Sequence, residues 1–189
     1  MSDILERTVE RSAEHIATHF YGKYRGIVTD ISDPDNRCRI KARVPAVFDD
    51  TVAPWAEPAL PFAGDGHGMV MLPKVGDGVW IEFEAGNLQT PIWSGCVFPS
   101  GGRPDPQGER VRVIVTDSGH KIVLDEDSNE IQIVHPDGAT LKMSSSDIVL
   151  SLGACELKIT ATEISLNQGM VKVTVAGVSL VNDAMKLGV

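Results

Sequence analysis

The stretch ELKITATEISLNQGMVKVTVAGVSL, residues 156–180, decides the fold of the C-terminal half of the chain. Apolar and polar residues alternate along it, and the apolar set is Leu157, Ile159, Ile164, Leu166, Val171, Val173, Val175, Val178 and Leu180. Alternation with a period of two predicts β-strands that have one apolar face. Gly169 and Gly177 lie in the short breaks between them, so these strands follow one another through tight corners. The pattern therefore asks what covers the apolar face.

The same alternation extends back to Val111 as a series of short strands spaced about eight to ten residues apart. HPDG, SLGA, NQG and VAG mark corners between them. Such corners are short for a sandwich of two sheets, and a unit of about eight residues is too short to enclose the core of a single-chain β-solenoid. We therefore expect an intertwined trimeric β-helix, or β-prism. In it each strand pairs with strands of neighbouring chains, and the apolar face points at the threefold axis.

The trimer core of this prism is predicted from the apolar positions of the strands. Each inward Ile, Leu or Val stabilises by roughly 1.5–3 kcal/mol when it is buried, so the same residues in water would favour aggregation. The predicted core comprises Ile122, Leu124, Ile131, Ile133, Leu141, Leu157, Ile159, Ile164, Leu166, Val171, Val173 and Val175.

The N-terminal half has a different pattern. Residues 3–20 predict a helix with a stripe of Leu5, Val9, Ile16 and Phe20, and a helix of this length needs a surface to pack against. Residues 23–98 read as about five short strands (KYRGIVTDI, RCRIKARVP, MVMLP, GDGVWIEFEAG and TPIWSGCVF), which favours a small closed β-barrel. The predicted organisation is a helical extension at 1–22, a barrel at 23–98, a Pro/Gly-rich linker at 99–110 and the prism at 111–189.

Charge and composition narrow the functional classes. The formal net charge is −9, from 17 basic and 26 acidic residues, which argues against binding of duplex nucleic acid. Cys38, Cys96 and Cys155 have no metal-ligand spacing, and we expect free thiols in a reducing cytosol. The N-terminus lacks a signal peptide and no run is long enough for a membrane span, so we expect synthesis in the cytoplasm and function in an assembled particle.

Several polar groups resemble sites but lack a complete constellation. Ser118 and His120 have no nucleophile elbow. His15 and His19 have helical spacing but no third ligand, and the acidic run at 125–127 lacks the spacing of a calcium loop. We therefore expect no catalytic residue, no cofactor and no metal site, and we expect the protein not to be an enzyme.

The middle of the chain resembles a known family. YRGIVTDISDPDNRCRIKARVP, followed by Trp55 and then LPKVGDGVWIEFEAGNLQTPIWSG, resembles the OB-fold domain of the phage baseplate assembly protein V and VgrG families, the spike proteins of contractile injection systems. TDSGHKIVLDED, residues 116–127, resembles the start of their β-prism. The resemblance implies an OB-fold Greek-key barrel, a homotrimer, and a central spike that pierces a membrane when a phage tail or injection system contracts.

The same resemblance implies partners at both ends. Only about 22 residues precede the barrel, so a separate tube or hub baseplate protein is implied, with Leu5, Val9, Ile16 and Phe20 as its docking residues. The tail VNDAMKLGV has no His-x-His iron site, which implies a separate PAAR-like tip protein that contacts Met185, Leu187 and Val189.

A second interpretation is an OB-fold module that binds glycan or single-stranded nucleic acid on a trimeric stalk. Such a module needs exposed aromatic residues between basic ones. Lys74 is the only basic residue between positions 45 and 100, which disfavours this interpretation.

Overall fold

The structure is a computed structural model that describes residues 2–49, 51–181 and 184–188. The chain is mostly β and divides into two compact units, Met1–Gly102 and Arg103–Val189. The division falls inside the segment predicted as the linker. The described helices include none with the length and hydrophobicity of a membrane span.

The first unit contains a helix and a small barrel. Helix α1 spans Ser2–Thr18, and the short helix α2 spans Pro45–Phe48. The strands are β1 (Tyr24–Asp30), β2 (Lys41–Arg43), β3 (Glu57–Pro58), β4 (Ala63–Gly64), β5 (His67–Gly68), β6 (Gly78–Phe83) and β7 (Pro91–Val97).

Five of these strands form the barrel, in the order β2-β1-β6-β7-β3. The pairs are antiparallel except for β3 with β7, which is parallel. A bridge between Ile40 and Ala56 joins the two outer ends of the sheet, with N–H···O distances of 3.2 and 2.8 Å. The five-stranded sheet is therefore closed on itself, as expected for a small barrel.

The barrel core follows from the alternation along its strands. In β6, which reads GVWIEF, Val79, Ile81 and Phe83 are buried while the residues between them lie partly exposed. The indole N–H of Trp93, a polar group in this core, is hydrogen-bonded: it donates to the carbonyl oxygen of Cys38 over 3.1 Å. The buried cluster comprises Val28, Ile40, Ala42, Val44, Ala56, Val79, Ile81, Phe83 and Trp93.

The turn between β1 and β2 is organised by one buried carboxylate. The side chain of Asp33 is only 3% exposed and accepts hydrogen bonds from the backbone N–H groups of Asp35, Arg37 and Arg39. The guanidinium of Arg39 donates to the same carboxylate through Nε at 3.0 Å and Nη2 at 2.5 Å. This guanidinium, aided by the backbone donors, holds the pKa of Asp33 far below its usual value.

One predicted barrel strand was wrong. MVMLP was expected to be a strand, but residues 69–73 lie outside any strand and Met69–Leu72 are exposed. The physical reason is visible in the sequence: four consecutive apolar residues have no alternation, and Pro73 has no N–H for a ladder. In the structure the short strand β3 pairs with β7 instead.

The second unit is one up-and-down sheet of ten described strands. They are β8 (Val111–Val115), β9 (Lys121–Asp125), β10 (Glu130–Val134), β11 (Thr140–Met143), β12 (Asp147–Leu152), β13 (Cys155–Thr160), β14 (Glu163–Leu166), β15 (Val171–Thr174), β16 (Gly177–Leu180) and β17 (Met185–Gly188). Their order in the sheet is their order in the chain.

Strand pairing in this unit differs from the intertwined arrangement expected from the sequence. Each strand is hydrogen-bonded in antiparallel fashion to its neighbours in the same chain. Turns of two residues, such as Gly153-Ala154 and Val175-Ala176, make a hairpin the local solution, because they join antiparallel strands directly. The β-helix itself stays a prediction.

Candidate assembly surface

One face of the ten-stranded sheet is covered by two rows of aliphatic side chains. Residues directly opposite each other on paired strands share a face, and the pairing therefore defines each row. The first row runs Ile114, Ile122, Ile133, Leu141, Leu150, Leu157, Leu166, Val171, Leu180 and Met185. The second runs Arg112, Leu124, Ile131, Met143, Ile148, Ile159, Ile164, Val173, Val178 and Leu187.

These rows remain open to solvent in the single chain. Exposure is 42% for Ile122, 52% for Leu150 and 42% for Leu166, and it stays in this range along most of the sheet. A soluble monomer rarely leaves a continuous apolar face of this extent in water. The apolar face of the sheet is therefore a candidate surface for assembly with another polypeptide.

The opposite face is largely polar from β10 onward, whereas on β8 and β9 it carries Val111 and Val123, which are buried. Further along, Ser165 is only 5% exposed while its neighbour Leu166 on the other face is 42% exposed. Long polar side chains lie over their own face and shield it. At Ser165 and Leu166 the usual order, in which the apolar residue is the less exposed, is therefore reversed.

A regular series of ion pairs crosses the polar face. Lys142 on β11 pairs with Glu130 on β10, with 2.5 Å between Nζ and Oε1. Lys158 on β13 lies 2.9 Å from Oδ2 of Asp147 on β12. On the next pair of strands, Lys172 stands 4.0 Å from Glu163. A lysine on every second strand thus lies diagonally across from a carboxylate on the strand before it.

The central ion pair also carries shifted pKa values. The hydroxyl of Ser144 and then the ammonium of Lys158 lower the pKa of Asp147, and Asp147 raises the pKa of Lys158. Ser144 donates to Oδ1 of Asp147 over 2.6 Å. Both charges are therefore retained at neutral pH, as a hydrated outer face requires.

Eleven of the twelve residues predicted for the trimer core lie in the two aliphatic rows. Val175 does not, because it occupies the turn between β15 and β16 and is fully exposed. There the hydroxyl of Thr174 accepts the N–H of Ala176 and donates to the carbonyl of Gly177, which ends the strand before Val175. The predicted trimer core omitted Ile114, Met143, Ile148, Leu150, Val178 and Leu180. Val178 and Leu180 nevertheless belong to the apolar set of residues 156–180, and the alternation of DIVLSL contained the signal for Ile148 and Leu150.

The residues predicted to contact a tip protein belong in part to the same face. Met185 and Leu187 lie on β17, opposite Leu180 and Val178, and they continue the two rows to the last described strand. They are 57% and 62% exposed. Val189 lies outside the described residues.

Helix α1 presents a second uncovered surface. Every residue from Ile4 to Thr18 is exposed, including Leu5 at 69%, Val9 at 62% and Ile16 at 76%. Phe20, the fourth residue predicted for hub docking, packs on the barrel core instead, with its ring 6.4 Å from that of Phe83. Its backbone N–H donates to the carbonyl oxygen of Gly86 over 2.9 Å. The helix is thus anchored at its C-terminal end, and its residues from Ile4 to Thr18 are exposed.

Two histidines add contacts at the C-terminal end of the helix. The rings of His15 and His19 stack with centroids 3.9 Å apart, and Nε2 of His15 lies 3.0 Å from the hydroxyl of Tyr21. Gly86 has a φ of +80°, and a Cβ there would come within 2.9 Å of His19 and 3.1 Å of the Tyr21 ring. The stacked arrangement leaves these imidazoles paired with each other and with Tyr21.

Ser118, His120 and His135 lie close together, but their side chains are exposed to solvent. Ser118 Oγ lies 2.9 Å from Nδ1 of His120, and the His120 ring contacts the ring of His135 edge to face at 4.8 Å. All three residues lie in or beside exposed turns of the sheet. Within the described ranges, no three His, Cys, Asp or Glu side chains converge as metal ligands.

The barrel does place cations on tryptophans, which the sequence interpretation missed. The guanidinium of Arg39 lies 5.8 Å, and the ammonium of Lys41 4.8 Å, from the ring centroid of Trp55. Arg25 lies 4.8 Å from the ring of Trp80, its direct partner across β1 and β6. The sequence argument counted basic residues between positions 45 and 100, whereas the fold brings Arg25 from β1, Lys41 from β2 and Arg39 from the segment before β2.

Comparison with known proteins identifies the barrel. Residues 24–98 match the family described as the type VI secretion system/phage-baseplate injector OB domain. The chain is also similar to the type VI secretion system spike protein VgrG4b of Pseudomonas aeruginosa strain PAO1, with 30% identity over 93 residues. That match covers 45% of this chain and 12% of the relative. These matches confirm the resemblance of the barrel to the OB domain of baseplate and spike proteins.

Proposed function

We propose, from the match of residues 24–98 to the injector OB domain and the similarity to a type VI secretion spike protein, that three copies assemble into the central spike of a contractile injection system or phage tail. The chain spans 12% of the curated relative's length.

The observation that carries the proposal is the pair of open aliphatic rows. The aliphatic faces of two further copies can cover the face of the first, because all three faces have the same width and the same repeat of side chains. Three sheets arranged with their aliphatic faces inward form a triangular prism whose polar faces, with Lys142, Lys158 and Lys172, point to water. Threefold closure leaves no face uncovered.

The same geometry supports a mechanical role. Ten strands at about 4.8 Å per step give a rod roughly 43 Å long, and each step of the rod is a backbone hydrogen-bond ladder braced by a shared core. Interiors packed in this way have low compressibility. A rod of this kind transmits an axial load from a contracting sheath to a membrane without making or breaking a covalent bond, so the proposed function is structural and not enzymatic.

The two ends of the spike are proposed to bind different partners. Leu5, Val9 and Ile16 form an exposed stripe on a helix that the barrel leaves free, which suits docking to a tube or hub protein. At the other end, Met185 and Leu187 continue the aliphatic rows to the last described strand. A PAAR-like tip protein that covers this end would complete the particle, which is made in the cytoplasm and acts once assembled.

A second candidate function has one specific observation in its favour. Trp55 and Trp80 carry cations beside their rings, which is a feature of surfaces that bind single-stranded nucleic acid or glycan. The net charge of −9 opposes nucleic-acid binding. Tight binding of a labelled oligonucleotide at physiological salt, abolished by Trp55→Ala, would favour this candidate over the spike.

Electron microscopy of the purified full-length chain tests the spike directly. Averaged images are expected to show a rod roughly 43 Å long with threefold symmetry. Images of single two-lobed particles, or of rods without threefold symmetry, would contradict the proposal.

A further inference from the structure

The barrel has an apolar pocket on the outward face of β1, β6 and β7. Its volume is about 240 Å³, and Ile27, Gly78, Val97 and Phe98 contribute to its walls. Ile27 is 40% and Phe98 69% exposed, so two large apolar side chains stand at the mouth of the pocket. Nothing in the described part of the first unit fills it.

The wall of this pocket is formed by a firmly held loop. The N–H of Gly76 donates to the carbonyl of Val28 over 2.9 Å, and the N–H of Val28 donates to the carbonyl of Asp77 over 2.9 Å. The carboxylate of Asp77 in turn accepts the N–H of Lys74 at 2.8 Å. The pocket is therefore preformed, and a ligand would not have to order it.

A second apolar feature of the same barrel is the segment Met69–Leu72. Its four side chains are 38%, 58%, 51% and 41% exposed, in chain order. From Val70 to Leu72 the described backbone makes no hydrogen bond within the chain, while the N–H of Met69 donates to Phe62. Consecutive exposed apolar residues on a backbone outside any strand mark a segment that binds a surface. Methionine adapts its shape to irregular pockets.

Threefold assembly requires a contact between two different surfaces of the same chain. Copies related by a threefold axis meet through two different surfaces of each copy, so every copy must carry both halves of the contact. The barrel carries an apolar pocket and an apolar segment of matching character. A flexible linker of about twelve residues spans roughly 20 Å, and tethers of that length keep three barrels at millimolar effective concentration. A small contact then suffices to close a ring.

We propose that Met69–Leu72 of one barrel docks into the pocket at Ile27 and Phe98 of the neighbouring copy, so that three barrels close into a ring of their own. The inference rests on the proposed trimer and adds to it a second, independent interface. The docked segment buries the side chains of both features. It also gives the unpaired backbone of Val70–Leu72 a neighbour.

Photocrosslinking of the full-length protein tests this contact. Met71 is replaced by p-benzoyl-phenylalanine, and the irradiated protein is analysed on a denaturing gel and by mass spectrometry. We expect covalent dimers and trimers in which position 71 is joined to peptides that contain Ile27 or Val97–Pro99. The same probe at Gln89, an exposed turn residue, is the control and should give no such product.

A second variant separates the contact from the fold. Phe98→Asp in the crosslinker background should reduce the yield of covalent dimer at least fivefold, while the purified protein still contains three copies by native mass spectrometry. A three-copy protein that crosslinks only within a chain, elsewhere, or not at all overturns the barrel contact alone. A protein of one copy overturns the proposed trimer together with it.

Discussion

Two neighbouring positions on β12 give opposite predictions for a lone sheet and for a trimer. Leu150 lies on the aliphatic face and is 52% exposed, while Val149 lies on the polar face and is less exposed. Val149 is directly opposite both Lys142 and Lys158. The perturbation is an aspartate at each position in turn, Leu150→Asp and Val149→Asp.

In an isolated sheet, Leu150→Asp is a mild change. Half of the leucine is already in water, so the loss of burial is about 1 kcal/mol, and the new carboxylate stays hydrated. In the trimer the same carboxylate enters the shared core. Lost burial of roughly 2 kcal/mol and an unpaired buried charge of about 3 kcal/mol or more add to roughly 5 kcal/mol per chain. Three copies lose about 15 kcal/mol, which weakens assembly by roughly ten orders of magnitude.

Val149→Asp is expected to be tolerated in either case, because the new carboxylate lies between two lysines on a hydrated face. The assay is sedimentation velocity of both purified variants at about 10 μM beside the wild type. We expect trimer from Val149→Asp and monomer or aggregate from Leu150→Asp. Normal trimer from Leu150→Asp, with or without loss of trimer in the other variant, would refute the inward placement of the aliphatic face.

Three further predictions follow from individual contacts. Removal of residues 2–14 should leave the melting temperature of the barrel unchanged, because Ile4–Glu14 are exposed and His15 is retained, and should abolish binding of the cognate hub protein in a pull-down; a lower melting temperature would place the helix on the barrel. Asp33→Asn should lower the thermal midpoint above about pH 4, the ordinary carboxyl pKa. The pKa of Asp33 in the folded protein is depressed, so the stabilisation by its carboxylate is lost as the pH falls from about 4 toward the folded-state pKa. The melting temperatures of the two proteins should therefore converge in acid, and an equal difference at every pH would contradict this. Lys158→Ala should preserve the trimer by native mass spectrometry and lower its melting temperature only slightly, by an amount that shrinks in high salt, whereas loss of the trimer would show that the polar face also makes contacts between copies.

Much of the fold was predictable because it depends on periodicity. The period-two pattern from Val111 onward predicted the strands, and eleven of twelve core positions lie on one face of the sheet. Val175 was wrong as a row member, because the hydroxyl of Thr174 forms a local turn that competes with continuation of the strand. Alternation alone contains no information about such side-chain bonds.

Other features depended on contacts that a sequence does not display. Phe20 continues the helical stripe in the sequence, yet its ring packs beside Phe83 of the barrel, a neighbour 63 positions later in the chain. Lys41 reaches Trp55 only because the barrel closes. MVMLP had the composition of a strand. An apolar segment without alternation, however, is equally compatible with an exposed segment that contacts another surface. Pairing partners within a chain or between chains are equally compatible with an alternating sequence.

Native mass spectrometry of the full-length protein at low micromolar concentration tests the central claim most directly. The account predicts a single species of about 61 kDa, three times the chain mass of 20.3 kDa. A folded species of about 20 kDa that keeps its β-sheet signal by circular dichroism would show that the aliphatic rows need no partner, and would contradict the account.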